Sequence, residues 1–163
     1  MSLIIKNKIN MLMKGYPTVS DKYNVTGGTL VSGSNPVKFG ELVKYSSTKG
    51  YYEAITETTT IDQIAGFVLA TNVKLNTKWP EGDVQVEAGE AFNLVLPGSY
   101  MAIELEVDAV EANIAANKKV AVKLDTGKLT TSGITDATDL PNVVFTGTYE
   151  KHGNVFYAEI LIK

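Results

Sequence analysis

The sequence predicts an all-β protein: a small β-barrel or sandwich body with an extended N-terminal arm. Three observations predict it. Short apolar runs recur with period-two alternation, glycine-centred turn signals separate them at close spacing, and no long helical period intervenes. Strands never alternate with long amphipathic helices, which disfavours α/β folds. At 163 residues the chain is one ordinary domain, or one smaller domain plus an arm. A chain of this size buries about 70% of its unfolded surface and needs no disulfide or metal to fold.

Residues 1–35 read as the arm and residues 36–163 as the barrel or sandwich domain. In the first 14 residues Leu3, Ile5, Ile9, Met11 and Met13 fall on odd positions, while Lys6, Lys8, Asn10 and Lys14 fall on even ones. An extended segment with that pattern has one apolar and one polar face. Gly15, Pro17, Gly27, Gly28, Gly33 and Pro36 punctuate the chain between that segment and the domain. From Pro36 the strands run Val37–Tyr45, Tyr51–Thr56 and Ile64–Lys74, the last with Gly66 as a bulge. Val84–Glu87, Ala91–Leu96 and Tyr100–Asp108 come next. In Tyr100–Asp108, Met101, Ile103, Leu105 and Val107 face one way and Ala102, Glu104, Glu106 and Asp108 the other, a strand with one wet face. Lys119–Asp125 and Lys128–Thr131 flank Thr126-Gly127. Val143–Glu150 and Asn154–Ile162 flank Lys151-His152-Gly153, and both faces of the last strand read as largely buried. The helical candidates are short, near Thr60–Ile64 and Ala109–Ala116.

Composition narrows the function. All 15 bases are Lys, against 18 acids, for a formal charge of −3. Arg is the side chain suited to bidentate phosphate clamping, so a nucleic-acid partner is not expected. Nor is a membrane partner: no run approaches the ~18 apolar residues of a spanning helix. The start, broken by Lys6 and Lys8, lacks the core of about 7–15 apolar residues that a signal peptide carries. The chain is expected to be made in a cytoplasm, or assembled there into something larger. With no Cys, thiolate metal sites and disulfides are excluded.

Catalytic constellations fail one by one. His152 is the sole histidine, lies in a hairpin-tip context, and has no Gly-x-Ser-x-Gly elbow to serve. Asp125-Thr-Gly127 resembles an aspartic-protease tripeptide, but such enzymes need two carboxylates sharing a proton, and Asp-x-Gly between two strands is what a hairpin turn asks for. Glu104, Glu106 and Asp108 share a strand face, yet Ca²⁺ needs about six to eight oxygens from several segments. No enzyme, cofactor or metal is expected. Trp79, Tyr51, Tyr52 and Tyr100 suit a receptor or glycan face as well as a core.

Read as an ordered set, the segments resemble the phage structural cement family of capsid-decoration proteins. The matching pieces are Lys14-Gly-Tyr-Pro-Thr-Val-Ser-Asp21, Pro36-Val-Lys-Phe-Gly-Glu-Leu-Val43, the Thr-rich Thr56–Ile61 leading into Ile64-Ala-Gly-Phe-Val-Leu69, Trp79-Pro-Glu-Gly-Asp-Val-Gln-Val86 before Ala88-Gly89, and Ala116–Leu124 with the Asp-Thr-Gly-Lys turn. The chain has Thr18 where the family's arm motif has a glycine. The resemblance implies a β-barrel with an extended arm, self-association as homotrimers, and contact with the major capsid protein on the capsid exterior of a virion assembled in the host cytoplasm. The expected contact residues are Ile4, Ile5, Ile9, Met11, Leu12, Met13, Tyr16 and Pro17. Removing residues 1–17 is expected to leave a folded body that no longer coats capsids. Another virion module, such as a head-fibre base, a tail protein or a receptor- or glycan-binding domain, is the alternative.

Overall fold

Short-period apolar patterning gives strands almost throughout the computed structural model, which describes residues 12, 14–19, 22–70 and 85–163. In chain order β1 (Asn24–Leu30), β2 (Val37–Lys38), β3 (Leu42–Tyr45), β4 (Tyr51–Ala54), β5 (Ile64–Leu69), β6 (Gln85–Val86) and β7 (Ala91–Leu96) build the first half. β8 (Ser99–Glu104), β9 (Lys119–Lys123), β10 (Lys128–Thr131), β11 (Thr138–His152) and β12 (Val155–Ile162) build the second. The first half closes as a barrel in the order β1-β4-β3-β5-β7, with β2 and β6 paired beside it, and the second is an open sheet in the order β10-β9-β11-β12-β8.

The barrel closes through β1. One side of β1 runs antiparallel to β7 from Asn24↔Leu96 to Thr29↔Ala91. The other side pairs parallel to β4 at Thr29↔Tyr51 and Leu30↔Tyr52. Gly28 sits where a Cβ would meet the Tyr52 ring at 2.5 Å, so only glycine lets the strand pass that ring. Residues 24–30 therefore belong to the folded body, although the composition of residues 1–35 reads as arm. The bulge expected at Gly66 is present: Val43↔Gly66 is followed by Lys44↔Ile64, leaving Ala65 as the extra residue.

Alternation across the barrel wall produces two cores. Val43, Val68, Phe92 and Leu94 point into one cluster with Leu30, Phe39 and Tyr52. Their neighbours Leu42, Phe67, Leu69 and Val95 point the other way, into the cluster formed with the open sheet around Met101, Ile103, Phe145, Phe156 and Ile160. The wall is thus buried on both sides, which is why Phe67-Val-Leu69 is apolar without a break. Each fully buried side chain of this kind contributes about 1.5–3 kcal/mol.

Three expectations change. The strand expected over Tyr100–Asp108 stops at Glu104. The chain then turns, Glu106 N–H bonding Leu129 O at 2.8 Å, and Val107 ends 67% exposed. On β12, Phe156, Ala158, Ile160 and Ile162 are buried, but the alternate residues are half-buried and make one wet face. The two helical candidates shrink to single 3₁₀ turns, Ile61–Gln63 and Glu111–Asn113. The first is started by the reciprocal Thr60/Gln63 capping box and ended by entry into β5. The strand expected to run on to Lys74 is described as far as Leu69; residues 71–84, with Trp79, lie outside the described residues.

Candidate functional site

The groups that carry chemistry elsewhere are spent on structure here. His152 ends β11 beside the two-residue turn Gly153-Asn154, with Gly153 at φ 62, the first-position conformation of a type II′ turn. Its Nε2 lies 3.1 Å from Glu150 Oε2, and its ring packs edge-on against Tyr157, centroids 5.3 Å apart. Asp125 sits in the turn joining β9 to β10, closed by Gly127 N–H to Lys123 O at 2.7 Å with Gly127 at φ 70. The three acids of residues 104–108 are dispersed among partners. Tyr157 Oη donates to Glu104 at 2.9 Å, Lys128 pairs with Glu106 at 3.5 Å, and Lys123 Nζ and Thr130 Oγ1 both donate to Asp108. The hydrogen bond from Lys123, with that from Thr130, holds the Asp108 carboxyl below the ordinary carboxylate range, and Asp108 in turn raises Lys123. Among the described residues no group of His, Asp or Glu could hold a metal.

The aromatics proposed for a receptor face are scattered. Tyr52 is buried inside the barrel against Phe92. Tyr100 is half-buried under Lys22 Nζ, and Tyr51 is exposed on the far side of β4. Among the described residues Tyr51, Tyr52 and Tyr100 form no common platform, and Trp79 lies outside the described residues.

The N-terminal segment is where chain and body meet. Gly15 joins the two halves of the molecule: its N–H donates to Ala102 O of β8 at 2.8 Å, and its C=O accepts from Ala70 N–H at the end of β5, also at 2.8 Å. Ala102 N–H returns to Tyr16 O at 2.9 Å, Thr18 N–H reaches Tyr100 O at 3.2 Å, and Pro17 bridges Met101. Residues 15–18 thus lie along the edge of β8 as a further strand-like segment, and Ala102, on the face expected to be wet, is fully buried. Gly15 and Gly40 meet back to back, both at φ 81. A Cβ on Gly15 would fall 2.6 Å from Phe39 Cβ, and one on Gly40 would fall 2.7 Å from Gly15 N. Lys14 Nζ pairs with Glu41 at 3.2 Å.

Of the expected contact residues, Tyr16 and Pro17 are half-buried in this root, and burial raises the Tyr16 phenol above its ordinary value. Leu12 is half-buried, its N–H 3.3 Å from Glu150 Oε2. Ile4, Ile5, Ile9, Met11 and Met13 lie outside the described residues. Sequence reasoning missed Gly15, Gly40 and Ala102; the visible signal was a glycine before Tyr16-Pro17 matched by another after Phe39, which nothing local connects. The truncation expected to leave an intact body, removal of residues 1–17, cuts through this root; a cut after residue 11 spares it.

A second surface feature lies between the halves. Tyr45, Ile61, Ile64, Leu96, Pro97 and Pro141 line part of an apolar groove of about 270 Å³, open to solvent between β3, β5 and β7 of the barrel and β11 and β12 of the sheet. Tyr45 on its rim is 59% exposed.

A family model described as structural cement protein (E217 gp24/Pam3 gp6) matches residues 7–160. Among solved structures, a chain from the capsid of Myoviridae phage XM1 superposes with a TM-score of 0.65 at 18% identity, covering 97% of this chain and 95% of that one. No curated protein sequence matches.

Proposed function

The chain belongs to the phage structural cement family, a virion structural protein that stabilises the capsid, and from that premise we infer that it grips the outside of the capsid through its N-terminal arm. The inferred partners are the major capsid protein and further copies of the same chain, three to an assembly, with assembly in the host cytoplasm. Ile4, Ile5, Ile9, Met11, Leu12, Met13, Tyr16 and Pro17 carry the contacts. The observation that supports this reading is the anchored root: residues 15–18 are fixed to both halves of the body, while the period-two apolar stretch lies just upstream of that anchor.

Physical economy favours such an arrangement. Ordering an arm costs roughly 1–2 kcal/mol of backbone entropy per residue, and strand pairing with apolar burial must exceed that. On a lattice each further contact forms at high effective concentration, so individually weak contacts hold. The fold needs no reacting group for this task, and the acids and histidine described above already serve turns and ion pairs.

The test is a binding experiment with particles stripped of the protein. The full chain is expected to co-sediment with them and raise their resistance to heat. A chain lacking residues 1–11 is expected to keep its own melting temperature and lose co-sedimentation. Undiminished coating by that truncated chain would refute the arm's role.

A further inference from the structure

We propose that the apolar groove between barrel and sheet is the seat for residues 1–11 of a second copy of this chain, so that copies join arm into groove. The inference rests on the arm reading above and selects, from its partners, the chain itself.

Three observations support it. The first is direction. From Thr18 back to Lys14 the segment runs along β8 from Tyr100 toward Glu104, the end of the sheet that carries the Gly153-Asn154 turn, since Glu104 pairs with Tyr157. Leu12 has already crossed to Glu150 at that end. The groove opens at the opposite end, where Ile162 pairs with Ser99 and Pro97 and Asn142 lie nearby. To fill its own groove the arm would have to reverse, and residues 1–14 contain neither Gly nor Pro, only Asn7 and Asn10, to turn on. The second is charge. Residues 1–11 hold Lys6 and Lys8 and no acid, so the remaining 152 residues carry 13 Lys and 18 acids, a formal −5 against the arm's +2. Asp62, next to the lining residue Ile61, is exposed at the rim, while Lys163 is the one cation in the lining among the described residues. Body and arm of different copies therefore attract, and the attraction weakens with salt.

The third is fit. A groove of about 270 Å³ takes a few side chains of an arm laid across it. The arm's apolar face presents Leu3, Ile5, Ile9 and Met11, aliphatic and thioether side chains that suit a groove walled by Ile61, Ile64, Leu96 and Pro97. Because arm and groove are different patches, the contact is head-to-tail and can close into a ring; an arm placed in its own groove would consume both and leave a monomer.

A mixing experiment decides it. Two variants are made: a chain lacking residues 1–11, which keeps the groove, and full-length Ile61→Glu, which keeps the arm. Sedimentation velocity and native mass spectrometry are expected to show that the unaltered chain self-associates and that each variant alone weakens association by roughly tenfold or more. Mixed together, the two variants are expected to form a 1:1 complex, an arm from one seated in the groove of the other, and the complex is expected to loosen as salt rises. A monomeric unaltered chain, a truncated chain that associates as before, or a mixture that stays monomeric would each overturn the inference. Should Ile61→Glu fail to show a cooperative melt, Tyr45→Glu, on the exposed rim, takes its place. Capsid binding measured in parallel separates the two readings: coating without complementation refutes only the groove, whereas complementation without coating refutes the capsid grip.

Discussion

The barrel and the open sheet solve the same problem in opposite ways. Both must satisfy the backbone groups of their outermost strands. The barrel does so by closure: β1 pairs with β7 on one side and β4 on the other, and the ring has no edge. The sheet cannot close, and it recruits chain from outside. Residues 15–18 cover β8, while Glu106 N–H to Leu129 O and Val110 N–H to Thr131 Oγ1 at 3.0 Å cover β10. The lesson is that the arm's root is a structural part of the sheet, and only the chain upstream of it is available for other work.

Truncation should break that comparison most visibly. Deleting residues 1–17 removes the three backbone bonds made by Gly15 and Tyr16; at about 1 kcal/mol each the loss is on the order of 3 kcal/mol, seen as an earlier urea midpoint. Deleting residues 1–11 should leave the midpoint nearly unchanged. If both deletions melt alike, the root is not part of the sheet.

Paired glycine substitutions sharpen it. Gly15→Ala forces a Cβ against Phe39 and Gly40 at positive φ and should cost roughly 3 kcal/mol. Gly153→Ala meets open space at a similar φ and should cost only about 1 kcal/mol. The gap measures the clasp itself. On the opposite edge, Thr131→Val leaves Val110 N–H without its acceptor and should cost about 1 kcal/mol.

The smallest effect is electrostatic. Asp108, beside the covered β10 edge, has a folded carboxyl lowered by Lys123 and Thr130. Its contribution is complete above the unfolded value of about 3.9 and fades as pH falls through the lower folded value, because the unfolded chain then binds more protons. Lys123 behaves in the mirror sense: raised by Asp108, it contributes fully below its unfolded value of about 10.4 and loses that as pH rises through the folded one. Asp108→Asn should therefore flatten the acid limb of the melting-temperature profile.

Much of this was legible in local pattern. The Gly66 bulge, the Asp125–Gly127 and His152–Gly153 turns, and the wet-dry alternation through Leu105 arise from period and turn chemistry. What escaped was set by tertiary contact. Alternation continues through Val107, but nothing in it announces that β8 ends at Glu104. Residues 24–30 look like linker because Gly27 and Gly28 dilute the pattern; Gly28 is there for the Tyr52 ring, a neighbour 24 residues away in sequence. Ala102 reads as the small residue of a wet face, and it is fully buried, with Gly15 and Tyr16 bonded to its backbone along the β8 edge. The family resemblance was carried by segment order, which survives where no single motif is specific.

Gly15 also decides how a pull would be borne. Its N–H is fastened to the sheet and its C=O to the barrel, so tension arriving along the arm divides between two layers at one residue. Bonds beside β8 would then be loaded together, in shear, instead of unzipping singly from an end. A segment rooted in both halves of the body resists being drawn out like a thread.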